Sequence, residues 1–413
     1  MEISKDIYYV GVNDQALDLF EGQYPLKQGV TYNSYVIKDE KIVIMDTVDK
    51  RVQDIWMENI EEVLKDREPD YLVVSHMEPD HGACIQVLAE KYPNIQIVGN
   101  MKTFQMIDQF FCLDSQIKRI QVKEGDTLSL GRYTLQFMMA PMVHWPEVMM
   151  SYLVEAKLVF SADAFGTFND DQNPWVEEAR RYYSNIVGKY GLQVQNVLKK
   201  LKGLHIETIC PLHGPVLKEN LMQYLRYYQL WSSYQSEEAG VLIVCASIHG
   251  HTYEAAQFLK TELEKHGEKV ILRNLCHEDI SEVIGDAFCY DRLVLAASSY
   301  DGGVFAPMDD FLHHLKNKNF QNRPVAYIEN GSWAPCATRT MKDITSTMKN
   351  MGDLGNVTIK GAMKKADEDN LIQLALAIME EGCLDEACMW DVNEDKRFWM
   401  LFTFLKNHVM ICS

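Results

Sequence analysis

The chain is short of basic charge, paired thiols and long apolar runs. Lys+Arg number 40 against 59 Asp+Glu, a formal net charge of −19. So acidic a chain is a poor partner for nucleic acid or anionic lipid, because contact with phosphates needs a basic face. No Cys-x-x-Cys occurs among the ten cysteines; the closest pair, Cys383 and Cys388, has four residues between. That excludes a fused rubredoxin or zinc ribbon, both of which need paired thiolates. It predicts reduced thiols in a cytoplasm rather than a disulfide framework. No apolar run approaches the roughly 18 residues of a membrane span. The opening Met1-Glu2-Ile3-Ser4-Lys5 lacks the pattern of a secretory leader, so none is expected. Gly-x-Gly-x-x-Gly is also missing, which disfavours a dinucleotide site. There is no internal repeat and no low-complexity tract.

What the chain has is length and a 47% hydrophobic content, enough for two or three full cores. Strands are predicted at 7–10, 32–37 and 42–45, the last two joined by the tight turn Lys38-Asp39-Glu40-Lys41 as a hairpin. A helix is expected from Val52 to Leu64, with further strands at 71–75, 95–98, 133–139, 149–154 and 157–161. One long helical pattern runs from Val176 to Leu201. This succession predicts two sheets packed as a sandwich and covered by helices. The polar, punctuated stretch Trp231 to Gly240 marks a join. Beyond it, strands near 241–245, 269–273, 292–297 and 324–328 alternate with helices, the rhythm of a doubly wound parallel sheet. The expected division is 1–238, 239–389 and a tail at 390–413. In that tail, Arg397 to Leu405 is aromatic, too short to cross a bilayer, and reads as a docked terminal helix.

The densest chemistry is His76-Met77-Glu78-Pro79-Asp80-His81, directly after the apolar run Tyr71–Ser75. Four potential ligands stand within six residues. They cannot share one helix face, but a loop can fan them towards two adjacent ions. Three more candidates, His144, Asp163 and His213, each lie where a predicted strand ends. Each alone is a weak signal; with the first cluster they form a strong one. Donor chemistry favours iron or manganese over zinc. Zinc hydrolases of comparable pattern carry His-x-His-x-Asp-His, and Glu78 replaces an imidazole by a harder anionic oxygen. Trp145 and Glu147 flank His144 as groups that can support it, with core packing an equal reading of Trp145.

In the C-terminal half, Ser247-Ile248-His249-Gly250-His251-Thr252 follows the strand at 241–245 and opens a helix. Small hydroxyl residues at a helix start can cradle a phosphate; an ordinary strand-to-helix turn with a Thr cap is the other reading. Two further loops, Ser298-Ser299-Tyr300-Asp301-Gly302-Gly303 and Asn330-Gly331-Ser332-Trp333-Ala334, follow later strands. Their small residues admit a planar ring, and Tyr300 and Trp333 can wall it.

With His76, Glu78, Asp80, His81, His144, Asp163 and His213 in place, the sequence resembles the flavodiiron proteins, or A-type flavoproteins. The resemblance covers nearly the whole chain. It implies a metallo-β-lactamase-like αββα sandwich followed by a flavodoxin-like domain binding FMN. It also implies two non-haem irons. His76, Glu78 and His144 would hold one, Asp80, His81 and His213 the other, and Asp163 would bridge them. The separation of Asp163 and His213 is shorter than the family's, with the deficit around Phe168 to Trp175. In the flavin loops the family often has Met-Tyr and Asn where Ile248, His249 and His251 stand, and Pro-Thr for Ser298-Ser299. The implied function is reduction of O₂ to water for oxygen detoxification in an anaerobe, with reduction of NO to N₂O as the alternative. A dinuclear metallo-hydrolase is the outlying reading. The resemblance further implies a head-to-tail homodimer or a dimer of dimers. Its electrons would come from an external donor such as rubredoxin or a reduced deazaflavin.

Overall fold

The computed structural model describes residues 1–170 and 175–385. The predicted tail at 390–413, its aromatic segment and Cys388 lie outside those residues, as do positions 171–174 of the short loop.

Two sheets face each other in the N-terminal half. The first has seven strands in the order Glu2–Ser4, Ile7–Tyr9, Tyr35–Lys38, Ile42–Met45, Tyr71–Val73, Gln96–Gly99 and Lys118–Gln121. The second has five: Thr127–Ser129, Thr134–Met139, Met149–Leu153, Leu158–Phe160 and Thr208–Cys210. Alternate side chains of both, among them Ile37, Val43, Val73, Phe137, Leu153 and Phe160, form a buried core between them. The opposite faces are covered by helices such as Gln53–Leu64, whose Trp56, Ile60 and Leu64 are buried. This is the expected αββα sandwich. The 38–41 hairpin forms in the expected place, with Lys38 opposite Ile42.

Several segments differ from expectation. The strand predicted over 32–37 is interrupted at Asn33-Ser34, separating Val30–Tyr32 from Tyr35–Lys38. Asn33 is fully buried and turns its amide to the His213 loop, so the chain leaves one sheet to support another segment. The predicted 26-residue helix is four pieces: Trp175–Tyr182, a π-turn over Tyr183–Val187, a 3₁₀ turn over Gly188–Tyr190, and Gly191–Leu201. Gly191 needs to be small because a Cβ would press on the Ser232 carbonyl. The edge strands Lys118–Gln121 and Thr127–Ser129 escaped the sequence reading because their residues are mostly exposed and polar.

The helix Leu221–Ser232 runs into the expected join, and the next strand, Glu238–Ala246, opens the second sheet system. Its parallel order is Val270–Asn274, Glu238–Ala246, Tyr290–Tyr300, Arg323–Asn330, Met351–Ile359. In chain order this is 2-1-3-4-5, the flavodoxin-like arrangement. The fifth strand was not read from the sequence; Gly352, Asp353, Gly355 and Asn356 dilute its apolar signal. The two halves are fastened by charged groups. Arg180, which also bonds Glu237 of the join at 2.6 Å, lies 3.8 Å from Asp286, while Arg181 reaches Ser281 at 2.8 Å and Asp279 at 3.1 Å.

A candidate dinuclear metal centre and a candidate flavin cradle

The apolar strand Tyr71–Val73 ends on a polar turn because Asp46 captures its continuation. The Asp46 carboxylate accepts from the Ser75 and His76 amides at 2.6 and 3.2 Å. Burial pushes its carboxyl up to about 6, against those hydrogen bonds. His76 and Glu78 then lie in the turn, and Pro79–Gly82 makes one helical turn carrying Asp80 and His81. The Thr47 hydroxyl donates to the His81 carbonyl at 2.5 Å. The expected loop is therefore half loop, half helix, and this places the two pairs of ligands at different depths.

His144, Asp163 and His213 arrive from the second sheet. Asp163 sits in a tight loop with Ala162 and Phe165 at positive φ (51° and 68°), closed by the Gly166 amide donating to the Asp163 carbonyl at 3.1 Å. His213 lies after Thr208–Cys210. Its loop is held by the Asn33 amide donating to Pro211 and Gly214 carbonyls (2.9 and 2.8 Å) and by the Tyr35 hydroxyl on Pro211 (2.7 Å). Gly214 has φ +81°, and a Cβ there would overlap the Thr167 hydroxyl.

All seven side chains meet. The Nε2 atoms of His76 and His144 lie 3.3 and 3.1 Å from Glu78 Oε2, and 3.4 and 3.0 Å from Asp163 Oδ2. On the other side, His81 and His213 Nε2 lie 2.9 Å apart, and both flank Asp80 Oδ2 at 3.3 and 3.1 Å. Asp163 turns its second oxygen, Oδ1, to His81 at 3.4 Å. One carboxylate thus faces both sets. Donor atoms about 3 Å apart match neighbouring ligands around an ion with bonds of about 2.1 Å. His81 Nε2 and His213 Nε2 at 2.9 Å make sense with a cation between them, since two imidazole nitrogens otherwise repel unless one carries a proton.

The electrostatics favour ionised carboxylates. Burial opposes charge on Asp163, but His76 and the hydrogen bonds from His144 and His81 hold its carboxyl well below the usual range. Glu78, also partly desolvated, is brought down to about 2 by His144 and His76. Behind the ligands, Glu147 is fully buried and takes the His76 Nδ1–H and the Met77 amide on one oxygen, both at 2.8 Å. His213 Nδ1 instead bonds the Thr31 carbonyl at 2.6 Å. Trp145 stands edge-on to His76, with ring centroids 5.3 Å apart, and also packs against the main core, so it walls the ligand while serving the core. Sequence reasoning missed Thr31, Asn33, Asp46 and Thr47. Their signal was polar residues breaking otherwise apolar strand segments.

At the far sheet, the three glycine- and serine-bearing loops lie at the C-terminal ends of adjacent strands. The helix His251–Lys265 begins after Gly250, which has φ +93° and open space where a Cβ would stand. Ser247 Oγ accepts from the Gly250 amide at 3.1 Å, and the Thr252 and Ser298 hydroxyls meet at 3.0 Å. Ile248, His249 and His251 are exposed. Ser298, Ser299 and Tyr300 end their strand, and Asp301-Gly302 turns it back to Gly303. Ser299 Oγ is engaged by the Cys336 and Ala337 amides at 2.8 and 3.1 Å, and Asn330 exchanges two bonds with Gly361. These two side chains brace the loops, leaving Gly331, Ser332 and Ala334 to line the rim. Trp333 is 91% exposed and Tyr300 49%. Two bare aromatics beside loops of small residues suit a planar ring.

Against this geometry, residues 30–214 match the family model described as ODP family beta lactamase. An uncharacterized protein of Methanocaldococcus jannaschii is 30% identical over 361 residues, covering 85% of this chain and 90% of that protein. The anaerobic nitric oxide reductase flavorubredoxin of Vibrio vulnificus is 27% identical over 360 residues, 81% of this chain and 70% of that protein. The rubredoxin oxygen:oxidoreductase of Desulfovibrio gigas shares the fold with a TM-score of 0.88 at 24% identity, covering 94% of this chain and 99% of that one. The chain belongs to the flavodiiron protein family. Flavodiiron proteins are oxidoreductases that use FMN and a non-haem diiron centre. The residues present fit both groups: two oxygen-rich donor sets sharing a carboxylate suit iron. The loops at the second sheet suit a flavin phosphate and ring.

Proposed function

We propose that this flavodiiron protein reduces O₂ to water and so removes oxygen for an anaerobic cell, working in the cytoplasm. His76, Glu78 and His144 would hold one iron, Asp80, His81 and His213 the second, and Asp163 would serve both. The observation that carries this reading is Asp163, with Oδ2 facing His144 at 3.0 Å and Oδ1 facing His81 at 3.4 Å. When bound, the irons supply two electrons and a place for the gas, and FMN supplies two more.

The protein's own contribution is position and electrostatics. Glu78, Asp80 and Asp163 place three negative charges among four imidazoles, leaving two ferrous ions near neutrality, so a change of oxidation state meets little charge penalty. Trp145 on one side and Phe20 on the other, 5.5 Å from His213, keep bulk water off the imidazoles. Ser247, Gly250 and Thr252 at the helix start, with His249 and His251 beside them, would hold the flavin's phosphate. Ser298–Gly303 and Asn330–Ala334 would take its ring. Because a flavin at the second sheet and the metals at the first lie at different parts of one chain, a head-to-tail homodimer brings them together between subunits. An external donor such as rubredoxin or a reduced deazaflavin reloads the flavin, since the chain has no Cys-x-x-Cys pair of its own.

Four stored electrons match dioxygen. Two NO molecules need only two, and the name of the Vibrio relative favours NO as a second substrate. Mixing the fully reduced protein with limiting O₂, and separately with NO, in a stopped-flow instrument tests the order. The expected result is complete reoxidation by O₂ without superoxide or peroxide and faster than by NO. Release of peroxide would end the O₂ reading, and faster turnover of NO would exchange the two substrates. Zinc in a colourless purified protein would return the site to a hydrolase.

A further inference from the structure

The two halves of the metal site are backed differently. His76 gives its Nδ1–H to the fully buried carboxylate of Glu147 at 2.8 Å, and the other Glu147 oxygen has no partner among the described residues. His213 gives its Nδ1–H to a neutral carbonyl, that of Thr31, at 2.6 Å. His81 Nδ1, also buried, has no partner among the described residues. A carboxylate behind an imidazole makes it the stronger donor and adds a negative charge in a region of low dielectric. Both effects stabilise the higher oxidation state of whatever metal the imidazole binds, and so lower its reduction potential.

We infer that Glu147 makes the two irons unequal, so that the iron held by His76, Glu78 and His144 is the last to be reduced and the first to be oxidised. This rests on the diiron assignment above. Glu147 touches neither metal nor gas; it is a positioning residue acting through His76. The buried Asp46 carboxylate, bonded to the Ser75 and His76 amides, adds its field near His81 but holds no imidazole nitrogen. Among the described residues no charged group bonds His213 Nδ1, and the rings against His213 are Phe20, Tyr32, Tyr182 and His81. One electron placed on the oxidised pair therefore stays on the His81–His213 side.

The test is a redox titration of the iron-loaded protein followed by EPR and ⁵⁷Fe Mössbauer spectra, beside an iron assay. In the wild type, two separated iron potentials and a half-reduced state with localised ferric and ferrous ions are expected. Glu147→Gln keeps the side chain's shape and an oxygen for the His76 and Met77 N–H groups, and loses only the charge. Its lower potential should rise by at least about 59 mV, a tenfold change in the ferric to ferrous ratio, with the upper potential nearly fixed. Glu147→Asp retains the charge and should stay near the wild type; if Glu147→Gln cannot hold iron, the wild-type spectra decide, and equal iron potentials or a delocalised half-reduced state would overturn the inference. Equal movement of both potentials, no movement with full iron, or an equal shift in Glu147→Asp would overturn the inference. A wild-type protein that takes up no iron would instead bring down the diiron assignment itself.

Discussion

Single side chains decide which metal is held. Glu78 is the one anionic oxygen in a position where an imidazole would make a zinc-type set, and its Oε2 lies 3.1 Å from His144. Glu78→His is therefore expected to exchange iron for zinc and to abolish O₂ consumption. Metal analysis after growth with both ions checks this. Asp163→Asn, which removes the shared group's charge and replaces one of its two oxygens by an amide NH₂ without changing its shape, should lower iron content to about one ion or fewer per chain. An iron assay reading two would show that the bridge is dispensable. Both residues were legible in the sequence, since carboxylates and imidazoles at strand ends carry their own chemistry. The groups that hold them were not. Asp46 and Asn33 read as ordinary polar residues until the structure showed what they bond.

Elements act by presenting those side chains at a fixed distance. The His213 loop depends on the broken strand at Asn33-Ser34, whose Asn33 amide donates to the Pro211 and Gly214 carbonyls, the first shared with the Tyr35 hydroxyl. Removing the amide takes one bond from Pro211 and leaves the buried Gly214 carbonyl without that donor, at a cost of about 1–3 kcal/mol. Asn33→Ala should lower the thermal midpoint and the iron affinity together. Unchanged iron affinity would show that the loop is held elsewhere. At the second sheet, Thr252 is buried and ties the helix start to Ser298. Thr252→Val keeps the volume but deletes the hydroxyl, and should weaken FMN binding roughly tenfold, the worth of a single good hydrogen bond. Quenching of flavin fluorescence on titrating FMN into the apoprotein measures it. Most of these elements were predictable from apolar periodicity, including the hairpin at 38–41 and four strands of the parallel sheet. The long helix was not, because its period of about 3.6 continues through the π-turn and 3₁₀ turn at Tyr183–Tyr190.

Across the whole molecule, charge governs the approach of a donor. With a net charge of −19, an acidic rubredoxin is repelled until salt screens the field. The rate of reduction by such a donor should rise with ionic strength from low salt. A fall would reveal a local basic docking patch. Among the described residues no helix is long and apolar enough to cross a membrane. The Arg180–Asp286 and Arg181–Asp279 pairs, with the groups around them, fix the two halves to one another within the chain.

The order of apolar and polar residues was enough to determine the layered sandwich, the parallel sheet after it, and the seven ligands, because burial and metal binding both act on residue type and spacing. Convergence of those ligands into two sets sharing Asp163, and the unequal support of His76 by Glu147 and of His213 by Thr31, were decided only by tertiary structure. They depend on contacts between residues up to 182 positions apart. Such contacts leave no periodic trace along the chain.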